Sequence, residues 1–303
     1  MSEIAESAPP TPDARPPEPA ARSKPHADPG FVRNTLLRLG TAVIGIPILL
    51  WLMFWGPAWA FQVTVLGAIA RAAHELMRMT MHEAPLLHVW GVLATVLVAA
   101  IAIFVPDGGA TLALVVALPA VGTLVALQRP EPNEAAALRL SWLIAGPVWI
   151  GGLLASVGHL HRLPHGGAWV LLSMWVAWAS DTGAYFAGRY FGKHKLAPRV
   201  SPSKTIEGSL GGLGGALTGA FAAHFGFMPD LPLLDAIVLC LVAGVLGQAG
   251  DLVESLVKRG AKVKDSGAIL PGHGGLLDRV DALMFTASAC LVYAHFVHAR
   301  LHS

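Results

Sequence analysis

The feature that most constrains the fold of this chain is a series of long apolar segments that contain almost no charged residues. Each segment is close to the roughly 20 residues that a helix needs to cross a bilayer. The mean hydropathy of +0.58 and the charged content of 13% lie outside the range of soluble globular proteins. The sequence therefore predicts an all-α, polytopic integral membrane protein with about nine transmembrane helices. The apolar runs are 36–55, 57–76, 86–105, 109–127, 141–158, 168–188, 208–227, 233–250 and 280–298.

The basic residues predict how these helices are oriented. Of the 21 Lys and Arg residues, all but Arg162 and Arg300 belong to the N-terminal segment up to Arg38 or lie at the end of, or after, the second, fourth, sixth or eighth run. Cytoplasmic segments of membrane proteins are enriched in Lys and Arg. We therefore expect a cytoplasmic N-terminus and an external C-terminus.

The chain divides into three parts by composition. Residues 1–30 are rich in Pro and Ala and are predicted to be a disordered tail. Residues 31–165 are predicted to form N-terminal transmembrane helices. Residues 166–303 are predicted to form a second transmembrane region with cytoplasmic loops at 189–207 and 256–279. Cys240 and Cys290 both lie in apolar runs, so neither a disulfide framework nor a cysteine metal site is expected.

The stretch from Asp251 to Asp281 concentrates charged residues and glycines in an otherwise apolar chain. Asp251, Glu254 and Lys258 fall at helical spacing and would share one helix face. Carboxylates bind Mg²⁺, and basic side chains and free backbone N–H groups bind phosphate, so the stretch contains both parts of a nucleotide–metal site. The alternative is a solvated, charged loop between membrane helices.

Two further patterns lie before this stretch. Asp181 interrupts the sixth apolar run, where a carboxylate is costly unless it faces a cavity, a partner or an ion; the alternative is a hydrogen bond that only packs helices. The segment Ser201–Gly208 places hydroxyl groups beside Lys204 at a helix start, which suits phosphate, although basic loops of this kind are mostly topogenic. The glycines of 208–219 favour close helix packing.

These motifs together resemble a known family. The string SLVKR, four further residues and KDSGAILPGHGGLLDRVD, from Ser255 to Asp281, is similar to the signature of the phosphatidate cytidylyltransferases, or CDP-diacylglycerol synthases. The resemblance extends to ASDTGAYF at 179–186 and SPSKTIEG at 201–208. Two positions depart from the family pattern: Ser203 replaces a second lysine found in many relatives, and Ala282 replaces a serine.

The resemblance implies an enzyme of phospholipid biosynthesis that transfers CMP from CTP to phosphatidate, giving CDP-diacylglycerol and diphosphate. It implies Mg²⁺ as cofactor and leaves a second cation open. CTP and phosphatidate are the expected partners, nucleic acid is not, and a homodimer is left open. The expected location is the inner (plasma) membrane of a bacterium, with the active site facing the cytoplasm.

The resemblance implies that 166–303 is the catalytic transmembrane region, and it also implies roles for individual residues. Asp251 and Asp278 are the leading metal ligands and are expected to share one Mg²⁺ site, with Asp281, Asp181 and Asp265 in reserve. Lys204, Lys258 and Arg279 are assigned to catalysis together with Asp251 and Asp278. The expected substrate-binding residues are Ser203, Thr205, Arg259, Lys264, His273, Gly274 and Gly275.

Two other functions share parts of this pattern. A CTP-dependent membrane kinase of lipid alcohols would need the same metal and triphosphate contacts, and also a general base for a neutral hydroxyl. An ion-coupled transporter could use Asp181 and glycine-broken helices. No inverted repeat is evident, and the acidic residues gather on one side of the membrane, which counts against transport.

Overall fold

The computed structural model describes residues 43–105, 108–128, 133–267 and 274–298. The predicted tail at 1–30, His273 and the preceding Pro271-Gly272 pair lie outside these ranges. Within them, each predicted apolar run coincides with a helix. The helices are α1 Val43–Phe54, α2 Ala58–Thr80, α3 Pro85–Phe104, α4 Gly108–Ala126, α5 Asn133–Gly146, α6 Leu153–Arg162, α7 Gly166–Phe191, α8 Ile206–Ala222, α9 Leu233–Gly260 and α10 Leu277–Tyr293.

Helices α5 and α6 form one continuous helical segment, because a π-helical turn at Pro147–Gly152 joins them. Similar π-helical turns extend α8 over Ala223–Phe227 and α10 over Ala294–His298. A proline at the start of the first π segment lacks a backbone N–H, which is consistent with a local change of hydrogen-bond register there.

Among the described residues, four helical segments are long and apolar enough to cross a membrane: Pro85–Phe104, Gly109–Ala126, Ala135–Arg162 and Leu233–Gly260. The apolar helix α1 is shorter, and α2, α7 and α10 contain charged side chains within the helix. These helices identify an integral membrane protein. The count of nine spans and the cytoplasmic N-terminus stay predictions.

The segment 189–207 is more ordered than the predicted loop. Helix α7 continues to Phe191, and a short antiparallel hairpin follows, with β1 at Lys195–Ala197 and β2 at Ser201–Thr205. Helix α8 begins directly after β2, with the Thr205 hydroxyl accepting a hydrogen bond from the Gly208 N–H at 3.1 Å. The hairpin is therefore held at the entrance of α8, and it departs from the all-α expectation for this part of the chain.

Helices α7 and α8 pack closely through glycine. A Cβ atom on Gly215 would clash with the Ala179 carbonyl oxygen, and one on Gly183 would clash with the Gly211 carbonyl oxygen. These contacts confirm the packing role predicted for the glycine face of α8, although Gly214 faces open space. The close approach brings Asp181 on α7 near the start of α8.

Helix α9 also extends further than its apolar run. The run was predicted to end at 250, but the helix continues to Gly260 and ends where Lys262 adopts a left-handed conformation with φ of 58°. Asp251, Glu254 and Lys258 therefore lie on the last helical turns rather than in a loop. Cys240 and Cys290 are both free and buried, as predicted.

Candidate active site

A cavity of about 480 Å³ lies at the hairpin, with walls from α7, β2, the start of α8 and the end of α9. Its volume is in the range of small-molecule sites. The wall combines acidic, basic and hydroxyl side chains, which suits a charged and polar ligand. The polar and charged residues that line it are Asp181, Tyr185, Arg189, Ser203, Lys204, Thr205, Ser209, Gln248 and Asp251.

A cluster of three carboxylates lies at the edge of this cavity. Asp251 and Glu254 on α9 and Asp281 on α10 each offer an oxygen, and these oxygens all lie within 4.8 Å of one another. Glu254 and Asp281 are buried. Neither Glu254 oxygen accepts a hydrogen bond of good geometry from the described residues, although Nζ of Lys258 lies 2.5 Å from Oε2. Buried carboxylates this close repel each other unless a cation compensates them, so the cluster fits a divalent cation.

Lys204 links the cavity to the carboxylate cluster. Its Nζ atom lies 2.6 Å from Oδ2 of Asp251, and both side chains are partly buried. Asp181 on α7 interacts electrostatically with Asp251, with Lys204 and with Arg279. The structure thus brings two predicted metal ligands and two predicted phosphate-binding residues together at one end of the molecule.

Asp278 has a different environment from Asp251. Its Oδ1 pairs with Nζ of Lys258 at 2.6 Å, and its Oδ2 accepts from the backbone N–H groups of Ser266 and Gly275, at 3.1 and 2.9 Å. Burial acts to raise the pKa of Asp278, but its contacts with Glu254 and Lys258 outweigh burial, and the pKa falls to about 2. The carboxylate is therefore occupied by donors, and the structure groups Asp251 with Glu254 and Asp281 rather than with Asp278.

The remaining predicted residues are dispersed around the site. Ser203 and Thr205 both line the cavity, and the Thr205 hydroxyl also caps α8. Arg259, Lys264 and Asp265 are exposed, at the end of α9 and in the segment after it. Arg279 on the first turn of α10 is also exposed, and it interacts electrostatically with Asp181. Their predicted roles stay predictions.

The two described glycines of the predicted phosphate turn contact Asp278. Gly274 has a positive φ of 77°, and the Gly275 N–H is the donor to Asp278 already noted. The left-handed conformation of Gly274 explains why glycine occurs there. The phosphate contacts predicted for these two residues, and for His273 outside the described range, stay predictions.

Glu207 fixes the two ends of the hairpin. Its Oε2 accepts from the Lys193 N–H at 3.0 Å, and Nδ1 of His194 lies 2.6 Å from its Oε1. The Ile206 N–H also donates to the His194 carbonyl at 2.9 Å. The contact with the His194 side chain is the main reason that the pKa of Glu207 falls to about 2. These contacts join residues 193 and 194 to residues 206 and 207, at the base of the hairpin. They therefore hold β2, which carries Lys204, against the start of α8.

With this geometry established, comparison with known proteins assigns the chain to a family. The model of the cytidylyltransferase family matches residues 36–297. The chain belongs to this family. The match includes both the N-terminal helices and the candidate site, and it confirms the resemblance seen in the motifs.

Several curated proteins named phosphatidate cytidylyltransferase are similar to part of the chain. The protein of Haemophilus influenzae is 44% identical over 142 residues, which is 45% of this chain and 49% of the relative. That of Staphylococcus haemolyticus is 49% identical over 117 residues, 39% of this chain and 45% of the relative. That of Bacillus subtilis is 46% identical over 121 residues, 40% of this chain and 45% of the relative. The matches thus span about half the length of these relatives.

Two residues of the candidate site had no role assigned from sequence. Glu254 was placed on the correct helix face with Asp251, but its membership of the carboxylate cluster depends on Asp281 from another helix. Gln248 is a polar residue in an apolar run, and its Nε2 donates to the Ser209 carbonyl at 3.0 Å, while the Ser209 hydroxyl donates to its Oε1. The isolated glutamine was the available signal for this polar cavity wall.

Proposed function

We propose that this protein is a phosphatidate cytidylyltransferase, which transfers CMP from CTP to phosphatidate and gives CDP-diacylglycerol and diphosphate. Family membership and the names of the relatives support this reaction. The observation that carries the proposal is the direct ion pair between Lys204 on the cavity wall and Asp251 in the carboxylate cluster. This pair supports a phosphate-binding role for Lys204 beside a candidate metal site.

The residues of the cluster suit Mg²⁺, a hard cation that prefers carboxylate oxygens. We propose that Asp251, Glu254 and Asp281 hold it, and that Asp181 contributes to a second cation if one binds. Glu254 supports this set, because its carboxylate is buried beside the other two and neither of its oxygens accepts a hydrogen bond of good geometry from the described residues. When bound, the cation would neutralise charge on the phosphates and orient them for displacement.

The residues of the cavity would then bind and orient the substrates. Lys204 and Arg189 would hold phosphate oxygens of CTP or of the lipid, and the Ser203 hydroxyl would add a hydrogen bond. The phosphate of phosphatidate is already an anionic nucleophile, so the reaction needs alignment and charge neutralisation more than a general base. We propose that this end of the protein faces the cytoplasm of a bacterium at its inner membrane, where CTP is available.

The proposal is tested with purified protein, Mg²⁺, phosphatidate and CTP labelled in the cytidine moiety. We expect label in the lipid phase and one diphosphate released per CDP-lipid formed. Asp251→Asn should nearly abolish turnover, because the amide keeps the size of the side chain but loses the charge that a hard cation requires.

The matched control is Asp230→Asn, a carboxylate that precedes the opposite end of α9; it should leave turnover unchanged. Release of CDP with phosphorylation of a lipid alcohol would instead identify a kinase. No nucleotide turnover with either lipid would refute an enzyme of this class.

A further inference from the structure

A buried carboxylate from the N-terminal half of the chain contacts the start of α10. Glu75 lies on α2 and is 1% exposed. Its Oε1 accepts from the Leu276 N–H at 3.1 Å, and its Oε2 accepts from the Leu277 N–H at 2.8 Å and from the Ser266 hydroxyl at 3.1 Å. Arg71, one turn earlier on α2, lies 3.0 Å from Oε1.

These contacts make Glu75 the cap of α10, although it is distant from α10 in the sequence. The first N–H groups of a helix have no partner within the helix, and a negative charge beside them is favourable. Leu276 itself provides no side-chain cap at this end. The start of α10 is therefore set by a residue from another helix.

Two glycines show how closely the chain packs around Glu75. A Cβ atom on Gly267 would lie 2.8 Å from Oε1, and one on Gly275 would lie 2.5 Å from Oε2. Both distances are too short for a real side-chain carbon. Glu75 thus contacts the chain on both sides of residues 268–273, through Ser266 and Gly267 before them and Gly275 to Leu277 after them.

A chain of polar contacts connects Glu75 to the carboxylate cluster. The Ser266 hydroxyl lies between Oε2 of Glu75 and Oδ2 of Asp278, which is 3.0 Å away. Asp278 pairs with Lys258, and Lys258 pairs with Glu254 in the cluster. Asp281 follows one turn after Leu277 on the same helix, so a shift in the start of α10 would move it directly.

We propose that Glu75 is a positioning residue for the nucleotidyl transfer: by capping α10 and holding Ser266, it sets where Asp278 and Asp281 lie relative to Asp251 and Glu254. This inference rests on the proposed function for its kinetic readout. It assigns a role in the reaction to the N-terminal helices, outside the motif-bearing region 166–303.

Gln62 on the same helix shows what a purely structural polar contact would look like. It is also buried, and its Nε2 donates to the Gly158 carbonyl on α6 at 3.0 Å. That contact joins two helices and reaches neither α10 nor the carboxylate cluster. Gln62→Met is therefore a matched control, because it removes a buried polar contact of α2 without changing the cap of α10.

The test compares Glu75→Gln, Ser266→Ala and Gln62→Met in the full-length purified protein. A glutamine at position 75 keeps one oxygen but presents an NH₂ group to donors that the carboxylate had bound, such as the N–H groups of Leu276 and Leu277. The cap of α10 is therefore lost. We expect kcat for Glu75→Gln to fall by about 10-fold or more and Mn²⁺ affinity, measured by electron paramagnetic resonance without nucleotide, to fall severalfold. Ser266→Ala should change both in the same direction.

Non-additivity provides a second readout. If Glu75 and Ser266 act as one unit, the double variant should be little worse than the more damaged single variant. Gln62→Met should lower the unfolding temperature but keep kcat and Mn²⁺ affinity within about twofold of the wild type, as expected for an independent site.

The inference is overturned if folded Glu75→Gln keeps both kcat and Mn²⁺ affinity within twofold of the wild type. If Glu75→Gln does not fold, Ser266→Ala, which removes only a hydroxyl, decides in the same way. A wild type that binds Mn²⁺ but makes no CDP-lipid would refute the proposed function instead, and the Mn²⁺ titrations would still test the positioning role.

Discussion

Removing the ammonium group of Lys204 should strengthen metal binding to the free enzyme, even though it weakens catalysis. Lys204 Nζ lies 2.6 Å from an oxygen of Asp251, so the lysine and a metal ion compete for the same carboxylate. If CTP binds as proposed, its phosphates would offer Lys204 another partner and release Asp251. Metal and nucleotide should therefore bind cooperatively in the wild type, and Lys204→Met should lose much of this coupling.

The size of the effect follows from the exposure of the ion pair. A charge-assisted hydrogen bond contributes about 1.5–3 kcal/mol when well shielded. The two side chains are 24% and 32% exposed, so solvent screening reduces this value, to roughly 1–2 kcal/mol. Since about 1.4 kcal/mol corresponds to a factor of ten, Mn²⁺ should bind to Lys204→Met about 5- to 30-fold more tightly than to the wild type without nucleotide.

The assay is a titration of purified protein with Mn²⁺, followed by electron paramagnetic resonance, first alone and then with CTP. Turnover of Lys204→Met should fall by about 10- to 150-fold, because a contact with phosphate is lost. The control is Lys195→Met, an exposed lysine on the other strand of the same hairpin, which should match the wild type in both titrations.

An unchanged or weaker Mn²⁺ affinity in folded Lys204→Met would refute the competition. An unchanged turnover would remove Lys204 from the phosphate site and return the SPSKT segment to a topogenic role. The two outcomes are separate, since the first concerns Asp251 and the second concerns the substrate.

Two further predictions concern the cluster and the topology. Asp281→Asn should lower Mn²⁺ affinity by about 10-fold or more, whereas Asp278→Asn should chiefly lower the free energy of unfolding. The loss of stability in Asp278→Asn should shrink as the pH falls from about 4 towards 2, because the pKa of Asp278 is lowered and its carboxylate stabilises the fold only while it is ionised. Equal Mn²⁺ affinities in the two variants would contradict the different roles of Asp278 and Asp281. Cysteines placed at Arg199 and Lys262 should react with an impermeant thiol reagent from the cytoplasmic face only, and labelling from the outside would refute the predicted orientation.

The sequence by itself determined the class of the protein and the position of its helices. Apolar runs near 20 residues can only be buried in a bilayer or a large core, so the hydropathy pattern along the sequence predicts where these helices lie. The glycines of α8 could also be interpreted as packing residues from sequence, since close helix approach excludes a Cβ atom. The motifs from Ser255 to Asp281 were long enough to identify the family.

Periodicity also placed Asp251, Glu254 and Lys258 on one helix face correctly. It could not show which carboxylate of another helix faces them, because spacing along one helix contains no information about the rotation of its neighbour. Asp278 and Asp281 lie one turn apart on α10, and only their tertiary environment separates them. Asp278 meets backbone donors from Ser266 and Gly275, whereas Asp281 meets the other carboxylates.

Only the tertiary structure shows how the N-terminal half of the chain contacts the candidate site. Glu75 occurs in an amphipathic stretch with Arg71 one turn before it. From sequence, this spacing predicts only an ion pair between two residues of the same helix. Its partners at the start of α10 are backbone N–H groups, and every residue except proline carries one, so no side-chain pattern could mark them in advance. A contact of this kind is specified by the packing of α2 against α10, which brings a carboxylate to a helix end that has no cap of its own.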